Sequence, residues 1–434
     1  MVRLIFFLIQ IFFLLFLVTY ISTNSFNIIF EIKELQYIFS SNILLFFITF
    51  FVIFIFVIQL IYFKSRYRFQ KYLLINKNKK LEKGYNYFVK AMIALANKDK
   101  KTAILANYKM KKFLNNDQGL SLLLDSEIFK IEKKFDQLQL VHQEMIKNKS
   151  TETLGYKGLM EQNLNKQDFH HAFIYGEKLF ELNPYIEKIY PTLVNIIAKS
   201  KNWNQLILVT KKAYNKKIIE QKVFNENTSI AYYEICKIKM YSDPKESLNL
   251  IQKAIKLNKS FSPFISLHLE ILFQIGEISQ LLKLLKKYWY ESPSSSLRNI
   301  ISLFLKEKKL DNIKNVQLII KNNQNELESK KLILEFAIYN SVWTLARESI
   351  VGLINNNPDR EICEFMALLE IGEFNDKQKS DAWYLRAQNA NLNKIWICQI
   401  SNISQTKWSS ISNAGYFNSL EWKLPRMLSS DIIN

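Results

Sequence analysis

The residues best suited to metal, redox or acid–base chemistry are few and far apart in the sequence. The chain of 434 residues has three cysteines and four histidines, at Cys236, Cys363, Cys398, His142, His170, His171 and His268. No HExxH, no GxSxG and no Cys–His cluster occurs, and helical neighbours such as His170 and His171 point about 100° apart. The pattern predicts no catalytic residue, no metal and no cofactor. It indicates packing or surface roles for the histidines, with His268 on an inward helix face, but leaves a haem-ligating His or Cys open.

Glycine and proline are scarce, with nine and seven residues. Neither GxGxxG nor GxxxxGK[ST] is present, and the common nucleotide-binding folds need such a backbone cradle for phosphate. A flavin or NAD enzyme of the Rossmann type is therefore excluded. The scarcity of turn residues also argues against sandwiches and barrels and predicts an all-α protein. The widely separated cysteines imply no disulfide framework.

The formal net charge is +20, which raises the question of nucleic-acid binding. Only eight of the 59 basic residues are arginine, whereas arginine dominates specific phosphate and base contacts. The lysine excess favours solvated helix faces and charge near a membrane, and we predict no nucleic-acid partner.

Two uncharged apolar segments near the N-terminus, Leu4–Ile21 and Ile43–Phe63, each approach the ~20 residues that cross a bilayer as a helix. Together they predict a two-helix transmembrane hairpin over residues 1–63 with a short external loop at 22–42. A cleaved signal peptide is the alternative for the first segment, but no A-x-A-like cleavage site follows it.

Basic residues predict the orientation of this hairpin. Arg3 precedes the first segment, and the loop at 22–42 has one lysine beside Glu31 and Glu34. Eight basic residues follow the second segment: Lys64, Arg66, Arg68, Lys71, Lys77, Lys79, Lys80 and Lys83. The N-terminus and the large C-terminal part are therefore expected in the cytoplasm of a bacterial inner (cytoplasmic) membrane. The basic juxtamembrane segment, 64–84, either contacts anionic lipid, at about 1 kcal/mol per residue, or acts only as a stop-transfer signal.

A repeat of about 34 residues begins after this segment. Its marker is a small or apolar residue on the second helix of each unit, the anchor residue, found at Ala103, Leu138, Ala172, Leu206, Ser247, Leu281 and Ala346. The spacings are 35, 34, 34, 41, 34 and 65. The 41 indicates an insertion around 218–227, and the 65 indicates two units, one of them degenerate near 310–320. Pro184, Pro293 and Pro358 each lie 12 residues after an anchor.

This pattern resembles the tetratricopeptide repeat (TPR) family over residues 85–390, with a generic helical solenoid as the alternative. Each unit buries its faces only against its neighbours, and such stacks offer concave surfaces. The resemblance implies binding of protein segments.

The C-terminal tail, 391–434, departs from the repeat and carries Trp396, Trp408 and Trp422. It resembles a degenerate zinc ribbon in which the four ligand positions are Cys398, Ser401, Ile411 and Ala414, followed by Gly415 and Phe417. One thiolate does not hold a metal that needs four soft ligands, so we expect none bound. An unrelated aromatic tail that docks on the last repeat is the alternative.

The order of these parts resembles the HemY family, proteobacterial inner-membrane TPR proteins associated with late haem biosynthesis. The resemblance implies a non-catalytic scaffold for protoporphyrin and haem synthesis. Its expected partners are membrane-associated haem-pathway enzymes, with a tetrapyrrole as a possible ligand. Two alternatives stay open. One is an envelope-assembly adaptor of the lipopolysaccharide-regulating TPR type, although that type has one span and four cysteines. The other is an enzyme that acts on porphyrinogens.

Overall fold

The computed structural model describes residues 2–23, 26–32, 35–114, 117–354 and 358–425. These residues form nineteen helices and five short strands, which confirms the prediction of an all-α repeat body. The chain divides into two compact units, 1–138 and 139–434. Parts of the predicted external loop, 24–25 and 33–34, lie outside the described residues, as does the end of the predicted tail, 426–434.

The first unit starts with two helices joined through a β-hairpin. Its elements are α1 (Val2–Thr23), β1 (Asn27–Ile32), β2 (Leu35–Ser40), α2 (Ser41–Ala96), α3 (Lys100–Phe113), α4 (Gln118–Glu132) and the start of α5 (Phe135–Lys147). The antiparallel register pairs Asn27 with Ser40 and Ile32 with Leu35, so the predicted loop contains a hairpin whose apolar and polar residues alternate. Helix α1 contacts α2.

By length and composition, one helix of the described chain, α2, is able to cross a membrane, while the apolar part of α1 at Leu8–Thr23 is shorter. Its apolar side chains, such as Phe47 and Phe54, are exposed, which agrees with a lipid-facing surface. That both helices cross a bilayer stays a prediction.

Helix α2 continues without a break from the second apolar segment through the predicted basic segment. No glycine or proline occurs between Ser41 and Lys83, so nothing in the sequence favours a helix end there. Gly84 is the first such residue, and it is buried because Leu114 covers it; an added Cβ would lie 2.4 Å from Leu114 Cγ.

The last turns of α2 serve as the first helix of the first helix pair. Ala91 and Ala94 of α2 are buried together with Ala103 and Ala106 of α3. Small side chains on both helices let the two backbones approach closely, which explains the small anchor at Ala103.

The second unit contains the end of α5 and seven helix pairs. The first helices are α6 (Glu152–Asn165), α8 (Ile189–Lys199), α10 (Gln221–Lys239), α12 (Ser262–Ile275), α14 (Ser295–Glu307), α16 (Leu327–Tyr339) and α18 (Arg360–Phe374). The second helices are α7 (Phe169–Leu182), α9 (Trp203–Asn215), α11 (Pro244–Leu257), α13 (Ile278–Glu291), α15 (Ile313–Ile320), α17 (Trp343–Ile354) and α19 (Lys377–Asn389). Each pair packs on the next, as in a TPR-like solenoid.

All seven predicted anchor residues lie on second helices and are at most 5% exposed. The degenerate unit predicted near 310–320 is the pair α14 and α15, whose second helix is the shortest and buries Val316. The insertion predicted around 218–227 lengthens α10 to 19 residues. The 34-residue register is therefore confirmed.

A repeated turn joins the two helices of most pairs. The residue five positions before the anchor has a positive φ at Lys98, Lys133, Gln167, Lys201, Gly276, Ser341 and Asn375. Aspartate or asparagine then caps several second helices; the Asp168 carboxylate, for example, accepts a hydrogen bond from the His171 amide. Only Gly276 is glycine, so this left-handed turn is not readable from composition.

The core of the second unit runs along the stack as three clusters. The largest joins α7 to α12 and includes Phe180 and Phe264; the second centres on Trp289 and Phe336; the third centres on Leu369. The Trp289 indole donates to Ser329 Oγ at 2.8 Å, which satisfies the one polar atom of the largest fully buried side chain.

Candidate interaction surface

The tail folds as a small three-stranded antiparallel sheet. Its strands are β3 (Ile395–Cys398), β4 (Ser404–Gln405) and β5 (Leu420–Lys423), in the order β4-β3-β5. Trp396 pairs with Trp422 across β3 and β5, and their rings lie 5.3 Å apart. Trp396, Cys398 and Leu420 form a small buried cluster. The tail is thus a folded element with a core of its own.

This sheet packs across the first helices of four successive pairs. The ring of Trp408 contacts Tyr233 of α10 at 5.3 Å and Phe264 of α12 at 6.1 Å between centroids. Phe261, which precedes α12, lies 5.2 Å from the same ring. Phe417 contacts Trp203, at the start of α9, and joins the largest core cluster of the solenoid. The prediction of an aromatic tail that docks on the last repeat is wrong in position, because the docked helices lie in the middle of the stack.

Three hydrogen bonds fix the tail on this surface. The Phe417 amide donates to Asn195 Oδ1 of α8 at 2.8 Å. Asn418 Nδ2 donates to Asn227 Oδ1 of α10 at 3.1 Å. The Trp422 indole donates to Ser295 Oγ of α14 at 3.0 Å. These bonds join residues 127 to 222 positions apart in sequence, so the sequence offered no local signal for them.

The four predicted ligand positions of the ribbon lie in this tail. The Ser401 amide lies 3.5 Å from Cys398 Sγ, and Ala414 packs on the Cys398 cluster. Ile411 instead packs against the largest solenoid cluster and bridges to Phe417. Within the described chain, no group of three or more His, Cys, Asp or Glu residues is arranged to hold a metal. Descent from a zinc ribbon stays a prediction.

Cys398 is the one thiol with an acid-shifted environment. Burial alone would raise its pKa, but hydrogen bonds from Ser401, Ser419 and Ser412 outweigh that effect and lower the pKa to about 6. Cys236 differs, because burial raises its pKa to about 12. Burial also raises the pKa of Cys363. The three thiols therefore do not act together.

The histidines occupy separate sites, as predicted. The Nδ1 atom of His171 lies 2.7 Å from the Asp168 carboxylate that caps α7, and the neighbouring His170 lies at the same turn. His142 fills the space above Gly158, where an added Cβ would lie 2.3 Å from the imidazole. His268 is buried, its Nδ1 atom is 2.8 Å from the Tyr288 hydroxyl, and burial lowers its pKa to about 4.

An open cleft adjoins the docked tail between α14, α16 and α18. It has a volume of about 440 Å³. Leu303, Phe365 and Leu368 form its apolar wall, and its charged residues are Lys306, Glu307, Glu335, Glu361 and Glu364. Asn393, in the segment that leads into the tail, also lines it.

A buried ion network lies beneath this cleft. Arg298 is 2% exposed and pairs with Glu328, Glu335 and Glu361. Lys331 is 5% exposed and lies 3.2 Å from Glu361. Burial opposes the charge of Arg298, but the three carboxylates together raise its pKa. Each buried charge therefore has partners, and sequence reasoning missed the network because charged residues are expected on the surface.

No protein-family model and no curated protein matches this chain. The chain is similar to the solved structure of Naa15/Naa10 bound to HypK-THB, with 14% identity, 70% of this chain and 55% of that chain covered, and a TM-score of 0.38. It is also similar to yeast Tom70, at 12% identity, 71% and 77% coverage and a TM-score of 0.29. A tetratricopeptide repeat protein from Parabacteroides merdae matches at 11% identity, 58% and 94% coverage and a TM-score of 0.28.

The chain spans about half the length of the Naa15/Naa10 chain that it matches. At these identities and TM-scores the likeness concerns the helical-repeat fold alone. The interaction surface has to be understood from its own residues: a tail-covered part over α8, α10, α12 and α14, and an open cleft over α14, α16 and α18.

Proposed function

We propose that this chain is a membrane-anchored scaffold that binds protein partners through the first-helix surface of its second unit. The observation that carries this proposal is that this surface already binds polypeptide, because the tail docks on it with aromatic side chains and three hydrogen bonds. The open cleft next to the tail offers further apolar and charged groups on the same surface.

The proposed anchor is the apolar part of α2 together with α1, as a hairpin in a bacterial inner membrane. Support comes from the exposed apolar surface of α2 and from the eight basic residues that follow the second apolar segment. In this arrangement the repeats lie in the cytoplasm. The proposal assigns no catalysis to the chain, since the titratable groups described above lie in separate sites.

We further propose that the scaffold acts in late protoporphyrin and haem synthesis and gathers membrane-associated enzymes of that pathway. The order of two apolar segments, basic stretch, repeats and ribbon-like tail supports this role, through its resemblance to the HemY family. A tetrapyrrole that binds the apolar wall of the cleft is part of the same hypothesis.

Affinity purification of the full chain from native membranes tests this role, alongside porphyrin measurements in a deletion strain. We expect recovery of a tetrapyrrole enzyme and an altered porphyrin content. Recovery of no such enzyme, together with unchanged porphyrins, contradicts the haem role.

A second candidate function is an envelope-assembly adaptor. The observation that favours it is the compact β-sheet of the tail on the repeats, since adaptors of that type carry a rubredoxin-like tail. Recovery of lipopolysaccharide-assembly proteins in the same purification, with normal porphyrins, supports this candidate over the haem role.

A further inference from the structure

We propose that the open cleft between α14, α16 and α18 binds a short segment of another protein that carries basic side chains next to an apolar one. This inference rests on the proposed scaffold function and names the chemistry of the partner. It concerns the cleft alone and is independent of the haem role.

The apolar half of the argument rests on the wall of the cleft. Leu303 of α14 is 52% exposed and Leu368 of α18 is 42% exposed, while Phe365 between them is buried. Two water-exposed leucines above a buried phenylalanine form a site that an apolar side chain fills favourably, at about 25 cal/mol per Å² of apolar surface buried.

The charged half of the argument rests on the rim. Four carboxylates line the cleft, whereas Lys306 is its one lining base among the described residues. Glu335 and Glu361 are already paired with the buried network below. Glu307 forms no salt bridge within the described chain, and Glu364 pairs with the exposed Arg360 at 2.9 Å.

Glu307 on α14 and Glu364 on α18 are therefore the carboxylates available to a ligand, on two helices that flank the cleft. A weakly paired acid beside exposed leucines in a chain of net charge +20 selects a partner of opposite local charge. Charge complementarity of this kind favours basic segments and disfavours acidic ones.

The buried network holds the cleft in shape before a ligand arrives. Arg298 of α14 connects to Glu328 and Glu335 of α16 and to Glu361 of α18. The three helices that line the cleft are thus cross-linked by ion pairs beneath it. A preorganised site loses less conformational entropy when it binds.

The docked tail supplies the argument that the occupant is a polypeptide. Trp422 of the tail bonds to Ser295, at the start of the same helix α14 that lines the cleft. The cleft is therefore continuous with a surface that binds an extended segment of this chain. Asn393, where the chain enters the tail, forms part of the cleft.

The test uses the full chain in nanodiscs of zwitterionic lipid, so that basic peptides do not adsorb to anionic lipid. A phage library of random dodecapeptides is selected on these discs and counter-selected on empty ones. Synthetic copies of the enriched peptides are then titrated by fluorescence anisotropy against wild type, the double variant Glu307→Lys/Glu364→Lys, and Glu348→Lys. Glu348 lies exposed on α17, a second helix, and serves as the matched control.

We expect enriched peptides of net positive charge with at least one large apolar residue. Their affinity should fall roughly tenfold or more in the double variant and stay within about twofold in the control. Thermal melting of both variants close to wild type establishes that they fold.

Enrichment of neutral or acidic peptides, no enrichment at all, or equal binding to the double variant overturns the inference. Enriched sequences that match residues 64–83 of this chain, together with self-association of the chain in detergent, also overturn it, because the occupant is then a second copy. None of these results bears on porphyrin content, so failure of the cleft inference is distinguishable from failure of the haem role.

Discussion

Asn418 of the tail donates a hydrogen bond to Asn227 of α10 at 3.1 Å, although 191 residues separate the two in sequence. Asn227 in turn donates to the Tyr190 hydroxyl of α8 at 2.9 Å. The contact therefore ties the end of the chain to two adjacent helix pairs. It makes the tail part of the repeat core, and its removal is expected to affect more than the tail alone.

The docked position of the tail depends on Trp408. We expect Trp408→Ala to weaken docking by about 2 kcal/mol, below the ~3–5 kcal/mol of fully buried aromatic deletions, because Trp408 is only half-buried. Docking covers the cluster around Cys398, since Phe261 packs on it. Alkylation of Cys398, followed by mass spectrometry, should therefore accelerate about thirtyfold. Ile400→Ala, an exposed tail substitution, should leave the rate unchanged; an unchanged rate in Trp408→Ala would show that docking does not depend on the tryptophan.

The thiol of Cys398 predicts a pH dependence of stability. Its pKa is about 6 in the folded chain against an ordinary value of 9, so between these values the unfolded chain binds more protons. The stabilisation is fully present above pH 9 and is lost as the pH falls through 6. Melting temperatures measured from pH 6 to 9 should rise less steeply in Cys398→Ser than in wild type. Cys236→Ala is the control, because burial keeps that thiol neutral throughout this range; equal slopes in wild type and Cys398→Ser contradict the prediction.

Restoration of thiols tests descent of the tail from a zinc ribbon. The triple variant Ser401→Cys, Ile411→Cys, Ala414→Cys places four cysteines at the predicted ligand positions with Cys398. We expect one equivalent of Co²⁺ or Zn²⁺ to bind with tetrahedral thiolate spectra and to raise the melting temperature. The same triple variant with Cys398→Ala should bind far more weakly. Failure of the four-cysteine variant to bind, while it still folds, argues for an unrelated tail.

The left-handed turn between paired helices predicts opposite effects of two Gly→Ala substitutions. Gly276 ends α12 with φ +87°, a conformation that costs residues with a Cβ about 1 kcal/mol. Gly352 is exposed within α17 and has only the Lys330 amine within 4 Å of an added Cβ. Denaturant titration should show Gly276→Ala destabilised by about 1 kcal/mol and Gly352→Ala stabilised by up to about 1 kcal/mol. Changes of the same sign in both contradict this account of the turn.

The network under the cleft predicts a large effect from Arg298. Its removal leaves three carboxylates in a buried setting without their shared cation, so Arg298→Ala should cost about 3–5 kcal/mol. Lys147→Ala breaks an exposed pair with Glu144 and should be close to wild type. Chemical denaturation of the full chain in detergent measures both, and similar stabilities would show that the buried network contributes little.

The repeat body was predictable because its signal is periodic. Small or apolar anchors recur near 34 residues, and each anchor sits at a helix crossing where size matters, as Ala172 does. The left-handed turn was not predictable, since lysine, glutamine and serine occupy most of its positions. Tertiary packing imposes that backbone conformation against the preference of residues such as Lys201.

The candidate surface was only partly predictable. The tryptophans indicated a folded tail, but its place on the repeats depends on contacts between residues more than a hundred positions apart, such as Trp422 with Ser295. The cleft rests on Arg298, whose charge marks it as a surface residue in any sequence pattern. Its burial follows from three carboxylates on neighbouring helices, and single-chain periodicity does not reveal such pairing.

Helix α2 gives the chain a mechanical property. From Lys64 to Ala96 it extends about 50 Å at ~1.5 Å per residue, and the first unit has no loop between its apolar part and the surface that packs on α3. If the apolar part crosses a bilayer as proposed, axial rotation or tilt of that part turns the first helix pair through the same angle. The membrane then sets the height of the first pair and also the direction in which it faces.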